Sequence, residues 1–243
     1  MKLGARKYVS EIWIDKELPK HSYLAKIPSV RWLASGNSLK FSKNVTFIVG
    51  DNGTGKSTII EALAVGFGFN PEGGTLNYSF STQDTHSELC NYLTVAKKAY
   101  PKNGYFLRAE TLYNAATYHR EVFKNEIAMG IREDLHNMSH GESFLKTVEG
   151  LRGNGIYIFD EPEAALSPRK LLSLMYHVNE LSKKGSQFII ATHSPILMAF
   201  PGAEIFLLDE NGIEVVKYTD TEHYLVTKSF LDNPERTLAR LFE

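Results

Sequence analysis

Three short stretches carry residue types that can do chemistry on phosphates. Gly50-Asp51-Asn52-Gly53-Thr54-Gly55-Lys56-Ser57 has the spacing G-x-x-x-x-G-K-[ST]. Glycines let backbone N–H groups turn inward around phosphate oxygens with no Cβ in the way. The helix expected to open at about Gly55 adds oriented donors and a partial positive charge. Lys56 is placed to reach the β- and γ-phosphates of a nucleotide, and the Ser57 hydroxyl to ligate Mg²⁺. The motif specifies a nucleotide phosphate. It does not specify which nucleotide, or what the energy drives.

The second stretch is Gly155-Ile156-Tyr157-Ile158-Phe159-Asp160-Glu161-Pro162-Glu163, an apolar run that ends in carboxylates. Asp160 suits a direct or water-mediated hold on Mg²⁺, and Glu161 suits orienting or deprotonating the attacking water. The third is Ser186-Gln187-Phe188-Ile189-Ile190-Ala191-Thr192-His193-Ser194, another apolar run, with a histidine at its C-terminal end. A lone histidine is usually structural. This one follows the same kind of strand as the other two groups, so contact with a γ-phosphate is expected of it.

Buried parallel strands must position these residues, because ligands gather at the C-terminal edge of such sheets. Val45-Thr46-Phe47-Ile48-Val49 reads as the strand before the phosphate loop, and Thr58, Ile59, Ile60, Ala62 and Leu63 as the helix after it, ending near Gly66-Phe67-Gly68. Tyr8 to Ile14 partly alternates as a strand should, and Leu39-Lys40-Phe41 leads toward the phosphate-loop strand. Thr75 to Phe80 reads as a strand, 88–99 as a helix, and Tyr105-Phe106-Leu107 as a short strand running into Arg108. From 111 to about 149 the chain reads as mostly helical. Leu171, Leu172, Leu174, Met175, Val178 and Leu181 recur at helical spacing over 168–184. Residues 204–209 and 213–216 form a hairpin around Glu210-Asn211-Gly212, and a last helix starts at about Pro234 behind Asp232 or Asn233.

The composition is that of a globular domain: 243 residues, 43% apolar and 23% charged, with a net charge of −1. No global field draws nucleic acid or a membrane surface, so DNA binding would need a local patch. Lys97, Lys98, Lys102, Arg108, Arg120 and Lys124 are the basic residues of the expected helical region. The single cysteine, Cys90, forms no intrachain disulfide and favours a reducing, cytoplasmic compartment. No apolar run is long enough for direct membrane insertion, and the N-terminus lacks the apolar core of a secretory signal. Trp13, Tyr23 and Trp32 are candidates to stack on adenine, although aromatics more often supply core.

The set of motifs, in this order, resembles the ABC-type ATPases. Met138-Ser139-His140-Gly141-Glu142 is similar to the family signature L-S-G-G-[QE], and Ala165-Leu166-Ser167-Pro168 to its D-loop. Within that fold the phrases Phe106-Leu107-Arg108-Ala109-Glu110, Ser139-His140-Gly141-Glu142-Ser143 and Asp160-Glu161-Pro162-Glu163 resemble the soluble SMC/RecF-like branch, in particular small stand-alone AAA family ATPases of bacteria. The resemblance implies an α/β P-loop NTPase in one domain over 1–243. Such a domain has a mixed central sheet, an antiparallel β subdomain, and a helical signature subdomain at about 84–150.

The resemblance further implies ATP hydrolysis in a head-to-tail homodimer around ATP–Mg²⁺. Gly50, Asp51, Asn52, Gly53, Thr54, Gly55, Lys56, Ser57 and Thr58 would bind phosphates. Ser57 and Asp160 would hold Mg²⁺, and Glu161, His193 and Lys56 would be catalytic. Ser139 and Gly141 would serve the other subunit's γ-phosphate. The partner switched would be a nuclease, a toxin or DNA, in repair or anti-phage defence. His140 stands where the signature usually has glycine. The Q-loop position falls to Gln83 or Glu110, of which Glu110 fits the topology better. The span from Lys56 to Asp160 leaves no room for long coiled-coil arms. The alternative, the nucleotide-binding subunit of an ABC transporter, would require a membrane partner on another chain.

Overall fold

The computed structural model describes residues 7–19, 21–76, 87–108 and 140–243. Among these residues, seven strands form one sheet in the order β10-β9-β3-β8-β7-β6-β4. They are β3 (Val45–Gly50), β4 (Gly74–Thr75), β6 (Asn103–Arg108), β7 (Gly155–Asp160), β8 (Gln187–Ala191), β9 (Glu204–Asp209) and β10 (Gly212–Val215). The five inner strands run parallel. The two edge strands, β4 and β10, are antiparallel to their neighbours. A separate antiparallel sheet has the order β2-β1-β5, from β1 (Val9–Ile14), β2 (Ser38–Lys40) and β5 (Leu93–Lys97).

Strands β3, β7 and β8 are buried along their whole length, as the unbroken apolar runs of their sequences require of strands covered on both faces. Alternate side chains serve two cores. Ile48, Ile156, Ile158, Ile189 and Ala191 pack on one side with α2 (Lys56–Phe67) and the small sheet. Phe47, Val49, Tyr157, Phe159, Phe188 and Ile190 pack on the other with α3 (His140–Glu149), α4 (Pro168–Lys183) and α5 (Pro195–Met198). Helix α2 lies between two sheets, so Ile59, Ile60, Ala62, Leu63 and Ala64 are all fully buried. Gly68, in left-handed conformation, ends it by donating its N–H to the Ala64 and Val65 carbonyls.

A buried side chain ties the small sheet to the central one. Gln187, at the start of β8, accepts from the backbone N–H groups of Tyr8 and Val9 at 2.8 and 2.9 Å and donates to the Val9 carbonyl at 2.8 Å. Three backbone groups at the entry to β1 are thereby satisfied without water.

The helix expected over 88–99 is a 3₁₀ turn, Glu88–Asn91, followed by β5. Leu89, Tyr92, Leu93 and Val95 also fit helical spacing, but β1 offers an open edge. Ile12 pairs with Val95 and Ile14 with Leu93 across it, and β-branched residues suit that pleated surface. The strand expected over 75–80 is described only as Gly74–Thr75, and the rest of that span lies outside the described residues. So does most of the helical span expected over 111–149, of which α3 is described. A helix without a clear sequence signal, α6 (Glu222–Asp232), precedes the expected last helix, α7 (Pro234–Phe242), whose cap is Asn233.

Candidate functional site

The phosphate loop is held open by glycine at two points. Gly50 has φ +144°, and a Cβ there would lie 2.1 Å from the Leu208 carbonyl oxygen on β9. Gly55 has φ +103° and would meet Ser29 Oγ at 2.3 Å. Ser29 sits in α1 (Pro28–Ala34) and donates to the Thr54 carbonyl at 2.6 Å, pinning the loop from outside. Thr54 Oγ1 donates to the Asp51 carbonyl at 2.8 Å. Lys56 Nζ lies within the loop, donating to the Gly50 and Asp51 carbonyls at 2.8 and 3.0 Å. Burial holds its ammonium below the ordinary lysine value, against the pull of Glu161 and Asp160. A buried cation in a glycine-rich loop at the start of a helix is a receptor for an anion of several charges, which a triphosphate supplies.

Register brings the other groups to the same edge. Asp160 ends β7 opposite Ala191 of β8, and Ala191 is itself opposite Ile48 of β3. The Ser57 hydroxyl donates to Asp160 Oδ1 at 3.2 Å. One hydroxyl and one carboxylate are hard oxygen donors of the kind Mg²⁺ takes from a protein, with substrate phosphates and waters completing its octahedron. Glu161 follows with φ +48° and ψ +55°, the left-handed region, so its side chain leaves the strand sharply. His193 Nε2 lies 3.4 Å from Glu161 Oε1. Lys56, Ser57, Asp160, Glu161 and His193 therefore converge on one sheet edge.

Two participants were invisible in the sequence. Glu163 Oε1 accepts from the His193 backbone N–H at 2.5 Å and so fixes the turn after β8. Burial raises its carboxyl above the ordinary value. His193 Nδ1 lies 2.8 Å from Nε2 of His223, on α6. Both contacts span 30 residues, so local spacing carries no trace of them. The Asp160-Glu161-Pro162-Glu163 run was the one available hint toward Glu163.

Some expectations are redirected. Arg108 does not lie on a helix: it ends β6 opposite Asp160, with Nη1 bonded to Glu61 Oε2 at 2.8 Å and Nε 3.9 Å from Asp160 Oδ2. Lys97 lies in β5 with Nζ over the Phe67 ring and bonded to the Phe67 carbonyl, and Lys102 precedes β6. These basic residues do not make a helical patch. Tyr23 is exposed, with its hydroxyl on Ser87 Oγ. Trp32 packs where a Cβ on Gly212 would be, and Trp13 is half-buried in β1. Gly141, in the first turn of α3, lies against the D-loop stretch. A Cβ there would come within 2.6 Å of the Ala165 carbonyl oxygen. Ser139, Gln83, Glu110, Arg120 and Lys124 lie outside the described residues.

A family model described as an AAA domain matches residues 26–126, and a second, described as AAA domain, putative AbiEii toxin, Type IV TA system, matches residues 143–199. The solved structure of CbiO1 from Clostridium perfringens, part of the ABC transporter complex CbiONQ, shares the fold. Its TM-score is 0.51 at 15% identity, over 97% of this chain and 99% of that one. The chain has the fold of an ABC-type ATPase. Among curated relatives, this chain is 28% identical over 175 residues to the nucleoside import ATP-binding protein NupA of Lactococcus lactis. The match covers 60% of this chain but 32% of NupA, so the chain spans about a third of that relative. It is 23% identical over 225 residues to the energy-coupling factor transporter ATP-binding protein EcfA2 of Mycoplasmoides gallisepticum, covering 77% of this chain and 68% of that one.

Proposed function

We propose that this ATPase is a nucleotide-driven switch that closes as a head-to-tail homodimer around two ATP–Mg²⁺ and reopens on hydrolysis. The observation that carries the reading is the convergence of Lys56, Ser57, Asp160, Glu161 and His193 on one edge of the central sheet. Gly50 to Thr58 would bind the phosphates, with Lys56 on the β- and γ-oxygens. Ser57 and Asp160 would hold Mg²⁺, which when bound neutralises charge on the phosphate oxygens. Glu161 orients the attacking water, and His193 reads the γ-phosphate. Ser139 and Gly141 of one subunit would complete the other subunit's site, and the seating of Gly141 against the Ala165 carbonyl links that signature turn to the D-loop.

The partner so switched is a nuclease, a toxin or DNA, in the manner of the SMC/RecF-like branch. The AAA-domain models support that branch, and the description of the second names a toxin system. A second reading, an ABC transporter ATP-binding subunit, is favoured by the names of NupA and EcfA2. It requires a membrane partner on another chain; no helix among the described residues of this one is long and apolar enough to cross a membrane.

The test is the solution mass of Glu161→Gln, by light scattering on a sizing column. We expect a monomer that becomes a dimer only with ATP and Mg²⁺. An unchanged mass despite measurable ATP binding would overturn the sandwich.

A further inference from the structure

We propose that His223 is a positioning residue for His193: its Nε2–H donates to His193 Nδ1 and so fixes the tautomer that carries the proton on His193 Nε2. The proposal rests on the reading of His193 as the γ-phosphate contact and deepens it.

The geometry leaves one consistent arrangement. The two ring nitrogens are 2.8 Å apart, a full hydrogen bond between planes inclined at 55°. Burial holds both imidazoles below the ordinary histidine value, with Lys56 adding to the effect at His193. At neutral pH the contact therefore joins two neutral rings, which share one N–H between them. If His193 Nδ1 carried that proton, its Nε2 would present a lone pair to Glu161 Oε1, an acceptor-only group 3.4 Å away. It would also be unable to donate to a phosphate oxygen. If His223 donates, His193 Nε2 carries a proton toward the carboxylate side, where an anionic oxygen accepts it.

His223 is built to act as a fixed donor. It sits in the first turn of α6, one residue beyond Glu222. The cap of that helix is Thr221, which is fully buried, accepts from the Tyr224 N–H and donates from its hydroxyl to the Tyr218 carbonyl. The Tyr218 and Tyr224 rings pack edge to face, 4.5 Å between centroids. Residues of this helix also wall the cleft beside the phosphate loop: His223, Leu225 and Val226 face Gly50, Asp51, Asn52, Gly53 and Thr54 across it. The tautomer of the γ-phosphate contact is thus set from an element outside the central sheet, so any movement of α6 would be felt at His193.

The test is a pair of substitutions with opposite hydrogen-bond character. The side-chain amide of His223→Gln can still donate to His193 Nδ1, whereas the carboxylate of His223→Glu can only accept. Two-bond ¹H–¹⁵N NMR of the labelled histidines should show His193 as the Nε2–H tautomer in the wild type and in His223→Gln. In His223→Glu the proton should be on Nδ1. Turnover should stay near wild type in His223→Gln and fall about tenfold or more in His223→Glu, with the KM for ATP little changed. A His193 that carries its proton on Nδ1 in the wild type would overturn the proposal, as would equal turnover in the two variants. Wild-type turnover in His193→Ala would instead sink the γ-phosphate role of His193, and the NMR tautomer would still decide whether His223 is the donor.

Discussion

Ser57 and Asp160 are 103 residues apart in sequence and meet through a 3.2 Å hydrogen bond from the Ser57 hydroxyl to Asp160 Oδ1. One residue comes from the first turn of α2 and the other from the end of β7, so the pair forms only when strands β3, β8 and β7 lie side by side. As two hard oxygens held together, they fit a shared divalent cation. Ser57→Ala should weaken ATP binding about tenfold in Mg²⁺, roughly the worth of one such contact. In EDTA it should change nothing. Titration calorimetry in both buffers checks this, and an equal loss without metal would show that Ser57 acts on phosphate alone.

Glu161 occupies a left-handed backbone conformation that costs a non-glycine residue about 1–2 kcal/mol. Asparagine tolerates that region better, so Glu161→Asn should raise the melting temperature by about 1–3 °C. The same change removes the carboxylate proposed to orient water and should lower ATP turnover about a hundredfold or more. Stability and activity measured on one sample test both halves. A variant that hydrolyses ATP at the wild-type rate would remove Glu161 from the chemistry.

Gln187 satisfies three backbone groups of Tyr8 and Val9 from a fully buried position. Gln187→Leu keeps the volume but leaves those groups without their partner, at about 1–3 kcal/mol for each group stranded. Denaturant unfolding should show a loss of about 3 kcal/mol or more. A loss below about 1 kcal/mol would mean that water replaces the side chain.

Burial depresses the values of His193 and His223 below 6.5, so the unfolded chain takes up protons that the folded chain resists. The contribution is therefore fully present above pH 6.5 and is lost as pH falls below it. Glu163, whose carboxyl is raised above 4.5, has the opposite sign: its contribution is present below pH 4.5 and is lost as pH rises above it. Denaturant midpoints should fall from pH 6.5 downward in the wild type and fall less in His193→Gln/His223→Gln. A slope unchanged by the double substitution would place the dependence elsewhere.

The chemistry was legible because each group ends an unbroken apolar strand. Val45–Gly50, Gly155–Asp160 and Gln187–Ala191 announced both the strands and the edge where Lys56, Asp160 and His193 gather. What decided β5 was not local. Leu93 and Val95 suit a helix or a strand, and pairing with Ile12 and Ile14 chose the strand. Arg108 looked like surface charge because its partners, Glu61 and Asp160, lie 47 and 52 positions away. His223 stood in a stretch with no strong period, and only the tertiary approach of α6 to the phosphate loop gives it a neighbour.

The central claim is that the active unit is two chains sharing ATP. Its most direct test is the steady-state rate of ATP hydrolysis per mole of protein, measured across a wide range of protein concentration at saturating ATP and Mg²⁺. A site completed by a second subunit predicts a specific activity that rises with concentration and then levels off as the dimer fills. A specific activity that stays constant down to concentrations where light scattering sees only monomer would contradict the account.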